Sequence, residues 1–381
     1  WMNMLEYEKL KYIAKYPTGK LNSNAAVEDG EYPFFTCAHE IYKINSYSYE
    51  GEYVLLGGNN ANGDFPVFYY NGKFDAYQRT YLIQSINPNY KTKYLYYAIQ
   101  LRLKQMQKNA SGTATKYLTL PILNSINIEK YDYDIQLKMI SVLEKYDLLI
   151  ENNNKRIKIF EQMVEEFYRE GFSRKRINNQ NAGICTYYKI KDILKFIRGI
   201  SYSSEEISCE DGMNLINLKN INSYGGFRRD GYKKYNGKFK KEQVVKRYDL
   251  IMGITDMTQD RRTVGSVALI PTVKFDSVIS ADLVLIKSKI NNIYLYCLFK
   301  FGGISKYISQ FANGANVLHL RPDMIKNVQI PIANNEVIEL FVKNVKPVFD
   351  EIEKLNLQNE NLIKQRDLLL PRLISGKLEV K

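Results

Sequence analysis

The chain has 381 residues, enough for two or three domains with cores of their own, and its 54 Lys and Arg against 41 Asp and Glu leave a formal charge of +13. That balance favours a polyanionic partner, nucleic acid before any other, over a small acidic substrate. Cys37, Cys185, Cys209 and Cys297 form no C-x-x-C pair and the only histidines are His39 and His319, which argues against a zinc site or a disulfide framework; no apolar run approaches the ~18 residues of a membrane span and no charged-then-apolar leader opens the chain, so a reduced, cytoplasmic protein is expected.

Residues 1–133 mix short β-rich runs, such as 53–56, with helical stretches, such as 94–108, and predict an α+β domain. Its candidates for a polyanion are Asn59, Asn60 and Asn62 for base edges, the cation Arg79, and the run 111–116, with Thr113 and Lys116, for the phosphate backbone. From 134 to 172 the period changes. Leu143, Ile150, Ile157 and Val164 recur every seventh residue, with Met139, Tyr146, Phe160 and Phe167 in a second row that Asn153 interrupts. This is a coiled-coil seam on one long helix.

A linker rich in Arg, Lys and Asn, 173–183, closes the first half, and 184–333 predicts a second α+β domain. Its loop 224–234 carries Arg228, Arg229, Lys233 and Lys234, and its loop 256–262 carries Gln259, Arg261 and Arg262. Arg reads guanine bidentately, Gln addresses adenine, and Lys mostly holds phosphates. The last segment, 334–381, returns to the heptad: Ile338, Val345 and Ile352 interleave with Phe341, Val348, Leu355, Leu362 and Leu369, and Asn359 interrupts that seam. A lone seam has nothing to pack on, so the two helices, each roughly 55 Å long, are expected to pair as an antiparallel rod. In that arrangement Asn153 meets Asn359, a buried polar pair that costs stability and fixes register.

The two halves also match each other at an offset of about 180 to 200 residues. Leu10-Lys11-Tyr12-Ile13 through Gly19 resembles Ile190-Lys191-Asp192-Ile193 through Gly199, Glu28-Asp29-Gly30 recurs as Glu210-Asp211-Gly212, and Tyr53-Val54-Leu55-Leu56-Gly57 parallels Asp249-Leu250-Ile251-Met252-Gly253. Lys73-Phe74-Asp75 recurs as Lys274-Phe275-Asp276, and each half closes on an alternating run, 126–128 or 328–330, before its long helix. The expected architecture is therefore two tandem repeated α+β domains separated by two long helices. Strand order does not follow from this pattern.

The layout resembles the specificity subunit of type I restriction-modification systems. The resemblance covers essentially the whole chain and rests on Ile126-Asn127-Ile128 followed by Gln136, Ile140, Leu143, Asp147 and Ile150, on Tyr248-Asp249-Leu250-Ile251 leading to Thr263-Val264-Gly265, and on the tail from Leu368 through Pro371 to Gly376. The first domain departs from the Thr-Val-Gly pattern, with Gly57-Gly58-Asn59-Asn60 in its place. The resemblance implies two target-recognition domains that each read half of a bipartite double-stranded DNA target. It also implies a coiled coil that sets the gap, and recruitment of two methyltransferase subunits and ATP-dependent restriction subunits. S-adenosylmethionine, ATP and magnesium would then belong to those partners, with no cofactor in this chain. No family DNA contact carries over residue by residue, because recognition domains differ with their targets.

Catalytic constellations are absent from the sequence pattern. Asn87-Pro88-Asn89-Tyr90 has the wrong third residue for an amino-methyltransferase tetrapeptide, Pro322-Asp323 lacks the Glu-x-Lys of a nuclease set, and there is no G-x-x-x-x-G-K-[ST]. A non-catalytic chain is expected. The alternatives are a standalone methyltransferase or nuclease with a divergent site, and a coiled-coil interaction protein unrelated to DNA.

Overall fold

A computed structural model of the chain describes residues 6–60, 63–109, 117–174, 185–208, 211–273 and 276–379. It divides into two compact units, residues 1–152 with 359–381 and residues 153–358. Each unit takes in one α+β segment and a part of both long helices, so the boundaries fall inside the helices, away from the expected linker at 173–183.

In the first unit a six-stranded sheet runs in the order Ala14–Lys15, Thr80–Ser85, Tyr49–Gly57, Val67–Ala76, Tyr32–Phe35, Tyr42–Ile44. All pairings are antiparallel except that of Tyr32–Phe35 with Val67–Ala76, where Phe34 lies opposite Asp75. Successive side chains of a strand point to opposite faces. Val54 and Leu56 accordingly enter a core with Tyr94, Leu95 and Ala98 of the helix Thr92–Asn109, while Leu55 enters another with Phe35, Phe74 and Leu82. Both faces are covered, which explains why this strand reads as a continuous apolar run.

The second unit repeats the plan. Lys195–Arg198, Leu283–Lys287, Leu250–Gly253 and Val267–Leu269 lie side by side in the equivalent order, all antiparallel. Leu250 and Met252 again face one core, with Tyr294, Leu295 and Leu298, and Ile251 faces another, with Ile216, Ala268 and Ile279. Met213–Ile216 runs parallel to Ser277–Ile279, as Tyr32–Phe35 runs parallel to Val67–Ala76. The difference is that one ten-residue strand of the first unit is replaced by two short ones, with Pro271, which has no N–H for a ladder, in the interval.

The sequence repeat is thus a repeat of topology. The segments Leu10–Ile13 and Ile190–Ile193 are short helices whose first N–H groups donate to Ile126 O and Val328 O, each at 2.9 Å. Tyr7–Lys9 pairs with Asn127–Glu129, and Cys185–Lys189 with Gln329–Ala333, so each α+β segment closes on itself just before its long helix.

The long helices span Tyr133–Tyr168, 36 residues, and Asn335–Ile374, 40 residues. Within the first unit Arg366 pairs with Asp147 at 2.7 Å and the Tyr131 hydroxyl donates to Ile374 O at 3.0 Å; within the second, Arg156 pairs with Glu351 at 3.4 Å. In the first unit residues 131 and 147 meet 374 and 366, and in the second 156 and 168 meet 351 and 341, so the partner number falls as the first rises and the helical segments run antiparallel in each. Of the expected seam, Met139, Leu143, Val164, Ile338, Phe341, Val345 and Leu355 are buried, and Tyr146, Ile150, Ile157, Phe160, Val348, Ile352, Leu362 and Leu369 are half-buried. Asn153 and Asn359, one in each unit, are both 7% exposed. One position differs from expectation: Phe167 is 44% exposed and Tyr168 is 1% exposed in its stead. A straight helix drifts by ~20° per heptad against a strict seven-residue repeat. Here Val164, Tyr168 and Phe172 follow a four-residue spacing onto Tyr294, Phe301 and Phe341, and the helix ends in a π-helical turn, Arg169–Arg174.

Candidate nucleic-acid interface

In the second unit the loops that follow Met213–Ile216 and Leu250–Gly253 are joined, since Tyr224 N–H donates to Arg262 O at 2.7 Å. The first loop is pinned from inside by two buried asparagines. The Asn217 side chain caps Lys219 N–H at 3.0 Å and donates to Gly231 O at 3.1 Å, while Asn220, fully buried, donates to Arg228 O at 3.1 Å and Asp230 O at 2.7 Å. Gly225 and Gly226 take positive φ, 104° and 110°, which turns the chain out to leave Tyr224 66% exposed. The Asn-x-x-Asn spacing of a capping box was the available sequence signal for this frame.

Within the loop the neighbouring arginines part company. Arg228 is exposed and forks onto Asp230, Nε to Oδ1 at 2.6 Å and Nη2 to Oδ2 at 2.9 Å. Arg229 turns inward: its guanidinium meets Glu353 of the second long helix at 2.8 Å, with side chains 18% and 12% exposed. Lys233 Nζ donates to Tyr202 OH at 3.0 Å and lies over that ring, and Lys234 Nζ donates to Asn214 Oδ1 at 3.0 Å, so both lie half-buried along a strand.

The second loop is built on Asp256, whose Oδ2 accepts from Thr263 N–H at 2.7 Å and whose Oδ1 accepts from Thr258 N–H and Oγ1 at 2.9 Å. Burial pushes the Asp256 carboxyl up, but these hydrogen bonds prevail and hold it below the usual carboxylate range. Gln259 donates to Ala315 O at 2.9 Å and Arg261 Nε to Ser309 O at 3.2 Å, so both side chains tie this loop to 309–315. Arg262 pairs with Asp260 at 2.6 Å, both more than half exposed, and Met257 at the tip is 69% exposed. Arg228 and Arg262 are therefore the predicted cations that the structure leaves on the outer surface of the joined loops.

The first unit has an equivalent cluster. Gly58 N–H donates to Arg79 O at 2.8 Å and Leu118 N–H to Gly58 O at 2.9 Å, matching the Leu320 N–H to Ile254 O bond of 2.8 Å in the second unit. Asn59, half-buried and bridged to Tyr117, Asn60, and the exposed Arg79 thus stand on adjoining turns. Asn62, Thr113 and Lys116 lie outside the described residues. Among the described residues there is no group of three His, Cys, Asp or Glu placed to hold a metal ion, and no helix is long and apolar enough to cross a membrane.

A family model described as the type I restriction modification DNA specificity domain matches residues 5–162. The chain is 34% identical over 197 residues to the type I restriction enzyme EcoDI specificity subunit of Escherichia coli, covering 50% of this chain and 43% of that one. It is 26% identical over 308 residues to the MjaIX specificity subunit of Methanocaldococcus jannaschii, covering 76% and 70% respectively. The match thus spans less than half the length of the E. coli relative. The crystal structure of a type I restriction-modification S subunit from M. genitalium shares the fold, with a TM-score of 0.54 at 14% identity over 98% of this chain and 97% of that one.

Proposed function

We propose that the chain, which is similar in sequence and fold to specificity subunits of type I restriction-modification systems, is the DNA-reading, non-catalytic subunit of such a complex. Each α+β segment reads one half of a bipartite double-stranded target through the loops that follow its central strands, and the two long helices set the interval between the halves. The observation that carries this reading is the doubled topology: the same order of four antiparallel strands occurs twice, and in both copies the loop after the central strand is the one stitched to the segment before the long helix. Duplex DNA turns once per about 34 Å, so two such domains address two half-sites a fixed number of base pairs apart.

In this reading Arg228 and Arg262 reach bases in one half-site, and Asn59, Asn60 and Arg79 serve the other. Lys233, Lys234, Gln259 and Arg261 shape the reading loops from behind, in keeping with their partners inside the unit. Methyltransferase subunits, two by family precedent, bind the exposed helix faces and supply S-adenosylmethionine chemistry, and restriction subunits supply the ATP- and magnesium-dependent steps. The base to be modified is flipped into the partner's pocket. The test is methylation by the chain assembled with its methyltransferase partner. Arg228→Ala is expected to relax base preference at one half-site only, by about 1–3 kcal/mol at the position read. Methylation without any sequence preference by the unaltered complex refutes the proposal.

A further inference from the structure

Arg228 and Arg229 are adjacent in sequence and opposite in direction, and the contrast carries a consequence for specificity. Arg229 meets both oxygens of Glu353, Nη1 to Oε2 at 2.8 Å and Nη2 to Oε1 at 3.4 Å, and Oε1 also accepts the backbone N–H of Thr272 at 3.0 Å. One helix carboxylate therefore grips two separate loops of the recognition segment, 220–231 and the one after Val267–Leu269. One turn earlier, Asp350 accepts from the Tyr248 hydroxyl and from Arg247, each at 2.5 Å. Beside these polar contacts there is a cavity of about 470 Å³, lined by Arg229, Tyr248, Tyr296, Lys300, Phe349 and Glu353 among others. An apolar core that includes Tyr294, Leu298, Phe341 and Val345 holds the segment against the helix, and the Arg229–Glu353 pair, more enclosed than Arg247–Asp350, adds a directional contact that fixes the 220–231 loop. Charge-assisted, bidentate pairs are the directional ones, because the planar fork fixes angle as well as distance.

We propose that Arg229 and Glu353 form a positioning clamp that sets where the second recognition segment sits on the long helix, so that the pair governs the tolerated interval between half-sites and leaves base preference to Arg228. The inference rests on the DNA-reading function proposed above and deepens it by separating two specificities within one loop.

The experiment uses the full chain assembled with its methyltransferase partner, and duplexes carrying both native half-sites at the preferred interval or at one base pair more or fewer, together with duplexes carrying single base changes in either half-site. Arg229→Gln and Glu353→Gln are each expected to cut the preference for the correct interval by about tenfold, the worth of one charge-assisted hydrogen bond, with the order of base preferences unchanged. Glu353→Gln keeps an acceptor for Thr272, so it isolates the ion pair. The double variant is expected to lose no more than either single one, because the two residues act through one interaction. Arg228→Ala is expected to do the reverse, altering base preference with interval preference intact. A change in base preference at the second half-site in Arg229→Gln, losses that add in the double variant, or an unaltered interval preference in both single variants overturns the clamp. Absence of any base preference in the unaltered complex overturns the underlying function, and the clamp with it.

Discussion

Asp256 illustrates what a single buried carboxylate does in a reading loop. It is 3% exposed and receives hydrogen bonds from both ends of the 256–263 turn, so its ionised form is better held in the folded state than in the unfolded chain. A depressed carboxyl contributes stability that is complete above the unfolded value, near 3.9, and is lost as pH falls through the folded value below it. The loop is therefore expected to be insensitive to pH across the neutral range and to loosen only below about pH 4, which amide exchange measured against pH would follow. Asp256→Asn keeps the shape but replaces one acceptor with a donor facing an N–H. It is expected to destabilise the second unit by about 1–3 kcal/mol, read from urea unfolding. None of this was legible in the sequence, where Asp256 is one acid in a polar loop and Thr263 begins the next strand-like run. The same holds for the arginine pair: composition marks Arg228 and Arg229 equally, and only the fold brings Glu353, 124 residues further on, under one of them.

The long helices were the most legible elements, because a heptad repeat is a local statement about which residues share a face. The first helix, expected over 134–172, is Tyr133–Tyr168 with a π-helical turn to Arg174, and the second, expected within 334–381, is Asn335–Ile374. The seam shifts where the helix end packs on Tyr294 and Phe301 of the globular segment as well as on Phe341 of its partner helix, and the contacts follow a four-residue spacing. That slip is measurable. Phe167→Ala is expected to change stability by no more than about 0.5 kcal/mol, as an exposed site does, whereas Tyr168→Ala is expected to cost about 3–5 kcal/mol. Equal costs measured by chemical unfolding would mean that the heptad phase continues to the helix end. Among the strands, the glycines of the repeat had a physical reason that the sequence alone could not reveal. A Cβ on Gly19 would stand 2.2 Å from Ala76 O, and one on Gly199 would stand 2.1 Å from Ser280 O. Both halves have glycine at these equivalent points because a backbone carbonyl of a neighbouring segment occupies the space.

At the scale of the whole molecule, the charge of +13 and the doubled domain lead to two measurable expectations. Binding of target DNA by the assembled complex is expected to weaken by about 10³-fold or more between 50 and 200 mM salt, since each neutralised phosphate releases counterions. A shallow salt response would separate the net charge from DNA binding. Removing one heptad from each long helix shortens each by about 10.5 Å, and is expected to reduce the preferred interval by about three base pairs on a duplex that advances about 34 Å per turn. An unchanged interval would mean that the helices do not set it. The sequence by itself determined the bipartite plan, the two helices with their apolar seams and the matching halves, because periodicity and repetition are carried by neighbouring residues whatever they pack against. Only the tertiary structure decided strand order, the buried asparagine frame, and which arginine faces solvent and which faces Glu353. Those depend on groups scores of residues apart reaching bonding distance, and no local pattern records that meeting.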